Sequence, residues 1–134
     1  MAKKSTATLK TKLDRVFSEY IRLRDTAGHS KDGYFRCISC GQIKPYSQAD
    51  CGHYIGRQHM ATRYNELNCW GQCKKCNRFE EGMKVDYRRN LVDKIGEDKV
   101  LLLEAAQKST VKISECEYRT MIGFYKEKIK ELTK

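Results

Sequence analysis

Hydrophobic positions recur every three or four residues near the start of the chain. They are Leu9, Leu13, Val16, Phe17, Tyr20 and Leu23. This spacing puts apolar side chains on one face and predicts an amphipathic helix over residues 5–28. Gly28 is expected to end it, because glycine closes a helix at little conformational cost.

The middle of the chain, residues 34–82, lacks that period and is predicted to consist of short elements. Its "CISCGQIKP" segment, with Gly41 and the only proline at Pro45, resembles a zinc knuckle. "SQADCGHYI" is interpreted as a strand, and "GRQHMATRYNELN" as a loop or a second, irregular strand. A short helix is expected from Cys73 to Gly82, through "CKKCNRFEEG".

Helical patterns return over residues 86–133. The segments are "DYRRNLVDKI", ended by Gly96, then "EDKVLLLEAAQKS" and "SECEYRTMIGFYKEKIKEL". Ser114 and Glu117 stand in a capping-box arrangement at the start of the third segment. The chain is therefore predicted to be one α+β domain over residues 1–134, with a small ββα core flanked by helices.

Positive charge is concentrated in the first two thirds of the chain. The net charge is +10, and residues 1–90 carry 18 Lys and Arg against 9 Asp and Glu. Residues 91–134 are nearly balanced, at 9 against 8. A basic surface of this kind favours a nucleic-acid partner, although a well-solvated surface would have the same composition.

The sequence shows neither a long apolar stretch nor the apolar segment of a signal peptide, so no membrane contact is expected. We therefore expect a reducing, cytoplasmic location. In such a compartment paired cysteines more often bind metal than form disulfides, and seven cysteines cannot all pair.

Four cysteines form two CxxC pairs, Cys37 with Cys40 and Cys73 with Cys76. A CxxC turn lets two thiolates reach one ion, and two such turns complete the tetrahedron that structural zinc requires. The sequence therefore predicts one structural Zn²⁺ that does no chemistry itself. Cys51, Cys69 and Cys116 lack partners at ligand spacing and are expected to be small core residues.

Residues between the two cysteine pairs resemble a known nuclease motif. The order of His53, Asn68 and Asn77 is similar to HNH, or His-Me finger, nucleases, in the variant seen in the phage endonuclease VII family. "DCGHY", "RYNELN" and "QCKKCN", followed by "YRRNLVDKIGEDKV", resemble the NinG/Rap recombination proteins of lambdoid phages. That likeness covers roughly residues 34–105.

The resemblance implies a metal-dependent endonuclease acting on branched or structured DNA. In that interpretation His53 is the general base, and Asn68 fixes the loop that aims it. Asn77 and a carboxylate hold a catalytic Mg²⁺ or Mn²⁺ at the scissile phosphate. The zinc keeps this site rigid.

The carboxylate of this assignment departs from the common HNH pattern. Many HNH enzymes carry an aspartate immediately before the histidine, but here that position is Gly52. Asp50 shares a strand face with residue 52 and is the expected metal ligand, directly or through water. Glu66 and Glu81 are the fallback carboxylates.

Five basic residues surround the motif and are expected to contact phosphate, although some would simply be solvated. They are Arg57, Arg63, Lys74, Lys75 and Arg78. His59 is expected at the surface or on a phosphate. The sequence leaves open whether Asn65 belongs to the site or to a turn, and whether Tyr54 packs under its strand or faces DNA.

Two other functions are compatible with part of this pattern. A zinc-stapled nucleic-acid-binding module without catalysis needs the cysteines and the basic face but not His53 and Asn77. An RNA nuclease is a third hypothesis. A homodimer is also possible, through the apolar helix positions Val100, Leu103, Ile113, Met121, Phe124 and Ile129.

Overall fold

A computed structural model describes residues 2–79 and 83–134, in which a mixed α+β fold is formed. The helices are α1 (Ala2–Arg24), α2 (Met60–Arg63), α3 (Lys74–Arg78), α4 (Lys84–Ile95), α5 (Glu97–Ala106) and α6 (Glu115–Leu132). The strands are β1 (Tyr34–Arg36), β2 (Ile43–Pro45), β3 (Ala49–His53) and β4 (Cys69–Cys73). The α+β class predicted from the sequence is confirmed.

The first helix, α1, packs along the last helix, α6. Phe17 of α1 sits edge-on between the rings of Tyr64 and Tyr125, with ring centroids 5.6 and 5.0 Å away. The predicted helix is confirmed, but it ends at Arg24 and not at Gly28. The reason is Thr26, which takes an extended conformation and forms a bridge to Phe35 of β1.

The end of α1 also fixes β4 to the helical layer. The Asp25 carboxylate accepts a hydrogen bond from the Gly71 amide at 2.7 Å, and Arg24 donates to the Cys69 carbonyl at 2.7 Å. The Arg24 guanidinium lies 4.1 Å from the centre of the Trp70 ring. The start of the chain is thus joined to its middle by charged contacts as well as by apolar packing.

Two small antiparallel sheets form the centre of the fold. In one, Tyr34 of β1 pairs with Pro45 of β2; in the other, Ala49–His53 pairs in register with Cys69–Cys73. The segment before β4 does not form the alternative strand considered for it: it contains the short helix α2 and a 3₁₀ turn at Glu66–Asn68. The second strand of this hairpin lies immediately after that segment.

The C-terminal helices cover this centre from two sides. On α4, Tyr87 and Leu91 are fully buried beside Ile38 and Ile55, together with Val100 of α5. Ser114 and Glu117 cap α6 reciprocally, as the sequence predicts. None of the helices in the described ranges is both long and apolar enough to cross a lipid bilayer.

Most apolar positions suggested for a dimer pack on the protein's own core. Val100 and Leu103 are buried, and Ile113, Met121 and Ile129 pack partly buried against the α1–α6 core. Phe124 alone of the six is largely exposed, at 53%. A dimer therefore stays a prediction, with Phe124 as its remaining apolar anchor.

Candidate metal centre and active-site cleft

Two tight turns bring four cysteine sulfur atoms together. Cys37 and Cys40 lie in the turn between β1 and β2. The turn is closed by Gly41, which has φ 75° and donates a hydrogen bond from its amide to the Cys37 carbonyl at 2.9 Å. Cys73 ends β4 and Cys76 lies in α3. The four sulfurs lie within 4.8 Å of one another, and those of Cys40 and Cys73 are 3.9 Å apart. Zn–S bonds of ~2.3 Å put tetrahedral thiolates about 3.8 Å apart, so the four cysteines can hold a metal ion such as zinc.

Backbone amides prepare one of these sulfurs for a metal. The Cys73 amide donates to the Cys37 sulfur at 3.3 Å. Burial would raise the pKa of Cys37, but hydrogen bonds from the amides of Cys73, Cys40 and Ser39 outweigh it, and this pKa lies below its usual value. Because metals bind the thiolate form, the turn favours the protonation state that a metal requires.

His53 lies at the end of β3, opposite Cys69 of β4. Its Nε2 is 2.9 Å from the Arg63 carbonyl oxygen, and a carbonyl can only accept. Nε2 therefore carries the proton, and Nδ1 keeps the lone pair. Burial, helped by the charges of Arg57 and Arg63, lowers the pKa of His53 to about 4 against the opposing effect of the backbone of Arg63 and Cys51. The imidazole is neutral at pH 7, with Nδ1 as a proton acceptor.

An open cleft of about 550 Å³ lies between α1 and the unit formed by β3 and α3. Asp50, His53 and Asn77 line one side of it, and Asp14 and Arg15 of α1 line the other. The structure thus brings three of the residues selected from the sequence to one concave surface, although they are up to 27 positions apart in the chain.

Asp50 and Asn77 are in direct contact in this cleft. The Asn77 amide nitrogen donates to Asp50 Oδ2 at 2.9 Å, and because a carboxylate only accepts, Oδ1 of Asn77 is the atom left for a cation. Arg78 also donates to Asp50 Oδ2, at 3.1 Å from Nε. Two oxygen donors side by side suit a hard divalent ion that keeps several waters, once Arg78 moves aside.

Asn68 is fully buried at the end of the segment that joins β3 to β4. Its side chain accepts from the Ile55 amide at 2.8 Å and donates to the carbonyls of Ile55 at 3.0 Å and Thr62 at 3.2 Å. Thr62 precedes Arg63, whose carbonyl oxygen accepts a hydrogen bond from His53 Nε2. Asn68 therefore fixes the loop that orients the imidazole, and it lies outside the cleft lining.

The basic residues named from the sequence fall into two groups. Arg57 and Arg78 line the cleft with side chains 60% and 59% exposed. Lys75 is exposed as well, and Lys74 is half-buried. Arg63, in contrast, is buried, with only 8% of its surface exposed. Its guanidinium donates to the Asp14 carboxylate at 2.6 Å and to the Arg57 carbonyl at 2.8 Å.

Asp14 was not identified from the sequence and is the carboxylate that holds this loop to α1. It accepts from Arg63, from Arg57 at 3.2 Å and from the Tyr64 hydroxyl at 2.6 Å. Burial would raise the pKa of Asp14, but the hydrogen bonds from Arg63 and Tyr64 keep it below the usual value. The sequence does contain a sign of this role, because Asp14 is the only acidic residue among the first 18.

Two residues of α4, also missed, hold the end of β3 from the other side. The Lys84 ammonium donates to the carbonyls of His53 and of Tyr54, the latter at 2.7 Å. Burial lowers the pKa of Lys84. The Tyr87 hydroxyl donates to the Gly52 carbonyl at 2.6 Å. No sequence motif marks a lysine and a tyrosine three positions apart on a helix as donors to the backbone of a distant strand.

The remaining candidates that the structure describes lie away from the cleft lining. Glu66 accepts from Tyr125 and Lys128, and Glu81 is outside the described residues. Asn65 is a turn residue that caps the 3₁₀ segment through the Leu67 amide at 2.9 Å. Tyr54 packs against Tyr87 and donates to Glu104. Cys69 is a core residue as expected, but Cys116 is exposed because it lies on the outer face of α6.

Relatives of the chain are phage proteins. Protein ninG of Escherichia phage lambda is 35% identical over 106 residues, covering 76% of this chain and 50% of the relative. The ninG proteins of Escherichia phage 933W and Salmonella phage P22 are each 34% identical, over 106 and 105 residues, with the same coverage.

The chain spans about half the length of the curated relatives it matches. No solved structure gives a significant match. The family model described as "Bacteriophage Lambda NinG protein" matches residues 1–134. The chain therefore belongs to the NinG family of lambdoid phages.

Proposed function

We propose that this chain is a metal-dependent endonuclease that hydrolyses phosphodiesters of branched DNA, with β3, β4 and α3 forming a His-Me finger. The observation that carries the proposal is the shared cleft of His53, Asp50 and Asn77. A base with an unprotonated ring nitrogen and two oxygen donors for a cation are the parts that metal-assisted hydrolysis of a phosphodiester needs.

His53 is the proposed general base. Nδ1 takes a proton from a water molecule as the water oxygen attacks phosphorus, and the bond from phosphorus to the leaving sugar oxygen breaks, with that oxygen taking a proton from solvent. The imidazolium that forms keeps its Nε2 hydrogen bond to the Arg63 carbonyl and later returns its proton to solvent. A backbone carbonyl as partner fixes the tautomer and the ring plane without adding a charge. Since the pKa of His53 is about 4, the base is in its active form over the whole physiological range.

Asp50 and Asn77 are the proposed ligands of the catalytic cation, Mg²⁺ or Mn²⁺. When bound, that ion supplies Lewis-acid stabilisation of the charge that develops on the phosphate. The protein itself holds the Asp50 and Asn77 side chains in contact, so that each offers an oxygen to the ion. The Arg78 side chain, which pairs with Asp50, can move from that carboxylate to the phosphate. Arg57, on the same rim, is a second phosphate contact.

The four-cysteine centre has a positional role in this proposal. Cys73 ends β4 and Cys76 directly precedes Asn77, so an ion bound by the four sulfurs fixes where α3 leaves the sheet. Asn77 and Asp50 are then held at contact distance by a rigid support. Zinc fits these four soft ligands, whereas the oxygen pair in the cleft suits a harder ion.

Branched DNA is the proposed substrate class, on the strength of the sequence motifs and of the basic rim. Phosphate contacts give affinity without sequence readout, so selectivity would come from the shape of the backbone. Paired cuts across a four-way junction need two clefts, and a dimer through the surface around Phe124 would supply them. Light scattering tests the dimer separately.

The function is tested by incubating the protein, loaded with one zinc per chain, with a labelled four-way junction, a flap and a plain duplex. Each is assayed with Mg²⁺, with Mn²⁺ and with chelator. We expect cleavage that depends on the ion and prefers the branched substrates. Replacing the general base in His53→Gln should slow it by at least about 100-fold without loss of zinc from the four-cysteine centre, and His59→Gln is the matched control.

Binding without cleavage under every ionic condition would favour the non-catalytic zinc-stapled module. Cleavage of the plain duplex at the same rate as the branched substrates would remove the preference for branched DNA and leave a nonspecific nuclease. Cleavage of RNA in place of DNA would favour the third hypothesis.

A further inference from the structure

A second group of metal-ligand atoms lies on the sheet face that carries His53. Cys51, His53 and Cys69 each offer one such atom, and the three lie within 4.8 Å of one another. The strand register explains the cluster: Cys51 is two residues before His53 and on the same face, and His53 pairs directly with Cys69. The cluster shares no residue with the four-cysteine centre.

One backbone carbonyl orients both the imidazole and one of the thiols. His53 Nε2 and the Cys69 thiol both donate to the Arg63 carbonyl, at 2.9 and 3.7 Å. Cys69 is fully buried, whereas Cys51 and His53 are half-buried and line the cleft. An ion could therefore enter from the cleft, and cleft water could fill a fourth position.

We propose that Cys51, His53 and Cys69 form a binding site for a thiophilic cation of the Zn²⁺ class. Two sulfurs and one imidazole nitrogen are a ligand set that zinc accepts with water as fourth ligand. Tetrahedral Zn–S and Zn–N bonds require ligand atoms about 3.5 Å apart, so small side-chain rotations close the set around an ion. Binding releases the two thiol protons to solvent.

The site should be weaker than the four-cysteine centre. It has two thiolates in place of four, so fewer charged ligands hold the ion. Added zinc should fill the four-cysteine centre first and this site only when in excess.

Occupancy would take the lone pair of His53 away from water, and this consequence alone rests on the proposed function. The same cleft would then contain separate binding sites for two classes of cation. Asp50 and Asn77 offer oxygen to hard cations, and the cysteine–histidine face offers sulfur and nitrogen to softer ones. Excess zinc is accordingly expected to inhibit any cleavage that His53 supports.

Binding is tested on the full chain by equilibrating it with excess zinc, removing free ion by gel filtration and measuring zinc per chain. We expect about two zinc ions in the wild type and about one in Cys51→Ser. Cys116→Ser, which changes a cysteine outside both groups, should retain about two. Asp50→Asn should also retain about two, which separates this site from the oxygen pair.

Cobalt gives a second readout. Adding Co²⁺ to protein that carries one zinc should produce thiolate-to-cobalt charge-transfer absorption, lost in Cys51→Ser but not in Cys116→Ser. One zinc per wild-type chain, or a second zinc that persists without thiolate absorption and in Cys51→Ser, would overturn the proposal. Cys69→Ser is the stricter variant, and Cys51→Ser keeps the test valid if that buried change prevents folding.

Cleavage assays link the site to activity. The ratio of rates without and with excess zinc should fall toward unity in Cys51→Ser. A second zinc bound through sulfur in a protein that never cleaves DNA would support the metal site and reject the proposed function.

Discussion

Replacing Asn68 by alanine should destabilise the fold far more than the same change at Asn65, three residues earlier. Asn68 is completely buried and its side chain makes three hydrogen bonds to the loop backbone. Asn65 is exposed and makes one, to the Leu67 amide. The two positions thus form a matched pair in one segment.

The magnitude follows from the partners left behind. Each hydrogen bond contributes about 1 kcal/mol net, so three lost bonds cost about 3 kcal/mol. Thr62 keeps another donor, the Asn65 amide at 3.1 Å, but the buried Ile55 amide loses its acceptor. That orphaned donor adds about 1–2 kcal/mol, giving about 4–5 kcal/mol for Asn68→Ala. Asn65→Ala should cost under about 1 kcal/mol.

Urea unfolding followed by tryptophan fluorescence measures both values, because Trp70 is the only tryptophan and lies in β4 beside this segment. Free zinc must be held constant, since a bound ion adds its own binding free energy to stability. A difference between the two variants below about 1 kcal/mol would refute the hydrogen-bond account. As a second readout, loosening the loop should weaken the bond from His53 to the Arg63 carbonyl, and a histidine NMR titration would register this as a changed pKa.

Three further predictions concern pH, charge and metal. The pKa of His53 is about 4 in the fold against an ordinary 6.5, so the unfolded chain binds more protons between those values, and stability should rise by roughly 3 kcal/mol from pH 4 to pH 6.5. The stability gap between the wild type and His53→Gln, measured across this range, should widen with pH, and a constant gap would contradict the assignment. Asp14→Asn leaves the buried Arg63 without its carboxylate and should cost about 3 kcal/mol in urea unfolding. Arg57→Gln, at an exposed partner of the same carboxylate, should cost under about 1 kcal/mol; equal losses would mean that burial is not the cause. Cys76→Ser should lose the zinc of the four-cysteine centre and much of the helical circular dichroism, whereas a Cys116→Ser protein that lost either would contradict the ligand assignment.

The features that the sequence predicted well are those encoded locally. A CxxC turn brings its own two sulfurs together, so the pairs at Cys37 and Cys73 could be recognised without knowing the fold. The capping box at Ser114 depends only on residues three apart. Helix α1 was visible in its spacing, but its end depends on Thr26 pairing with Phe35, and no local pattern records that contact.

The features that sequence reasoning missed depend on contacts between distant segments. Arg63 was interpreted as a phosphate ligand because it is basic and lies in the motif. Its burial comes from Asp14, 49 positions away. Lys84 and Tyr87 act on backbone carbonyls, which have no side-chain signature. Asp50 and Asn77 were expected to cooperate, and the structure adds Arg78 as the residue already paired with their carboxylate.

The contacts of α1 have a consequence for protein engineering. Residues 34–82 look like a cassette that could be moved into another scaffold, but several of their polar groups have partners outside it, and two of these groups depend on carboxylates near the start of the chain. The Arg63 guanidinium depends on Asp14, and the Gly71 amide depends on Asp25. A transplanted cassette would carry a buried cation and an unpaired strand amide. A host scaffold must therefore present two carboxylates with the placement of Asp14 in α1 and of Asp25 directly after it, 11 residues apart.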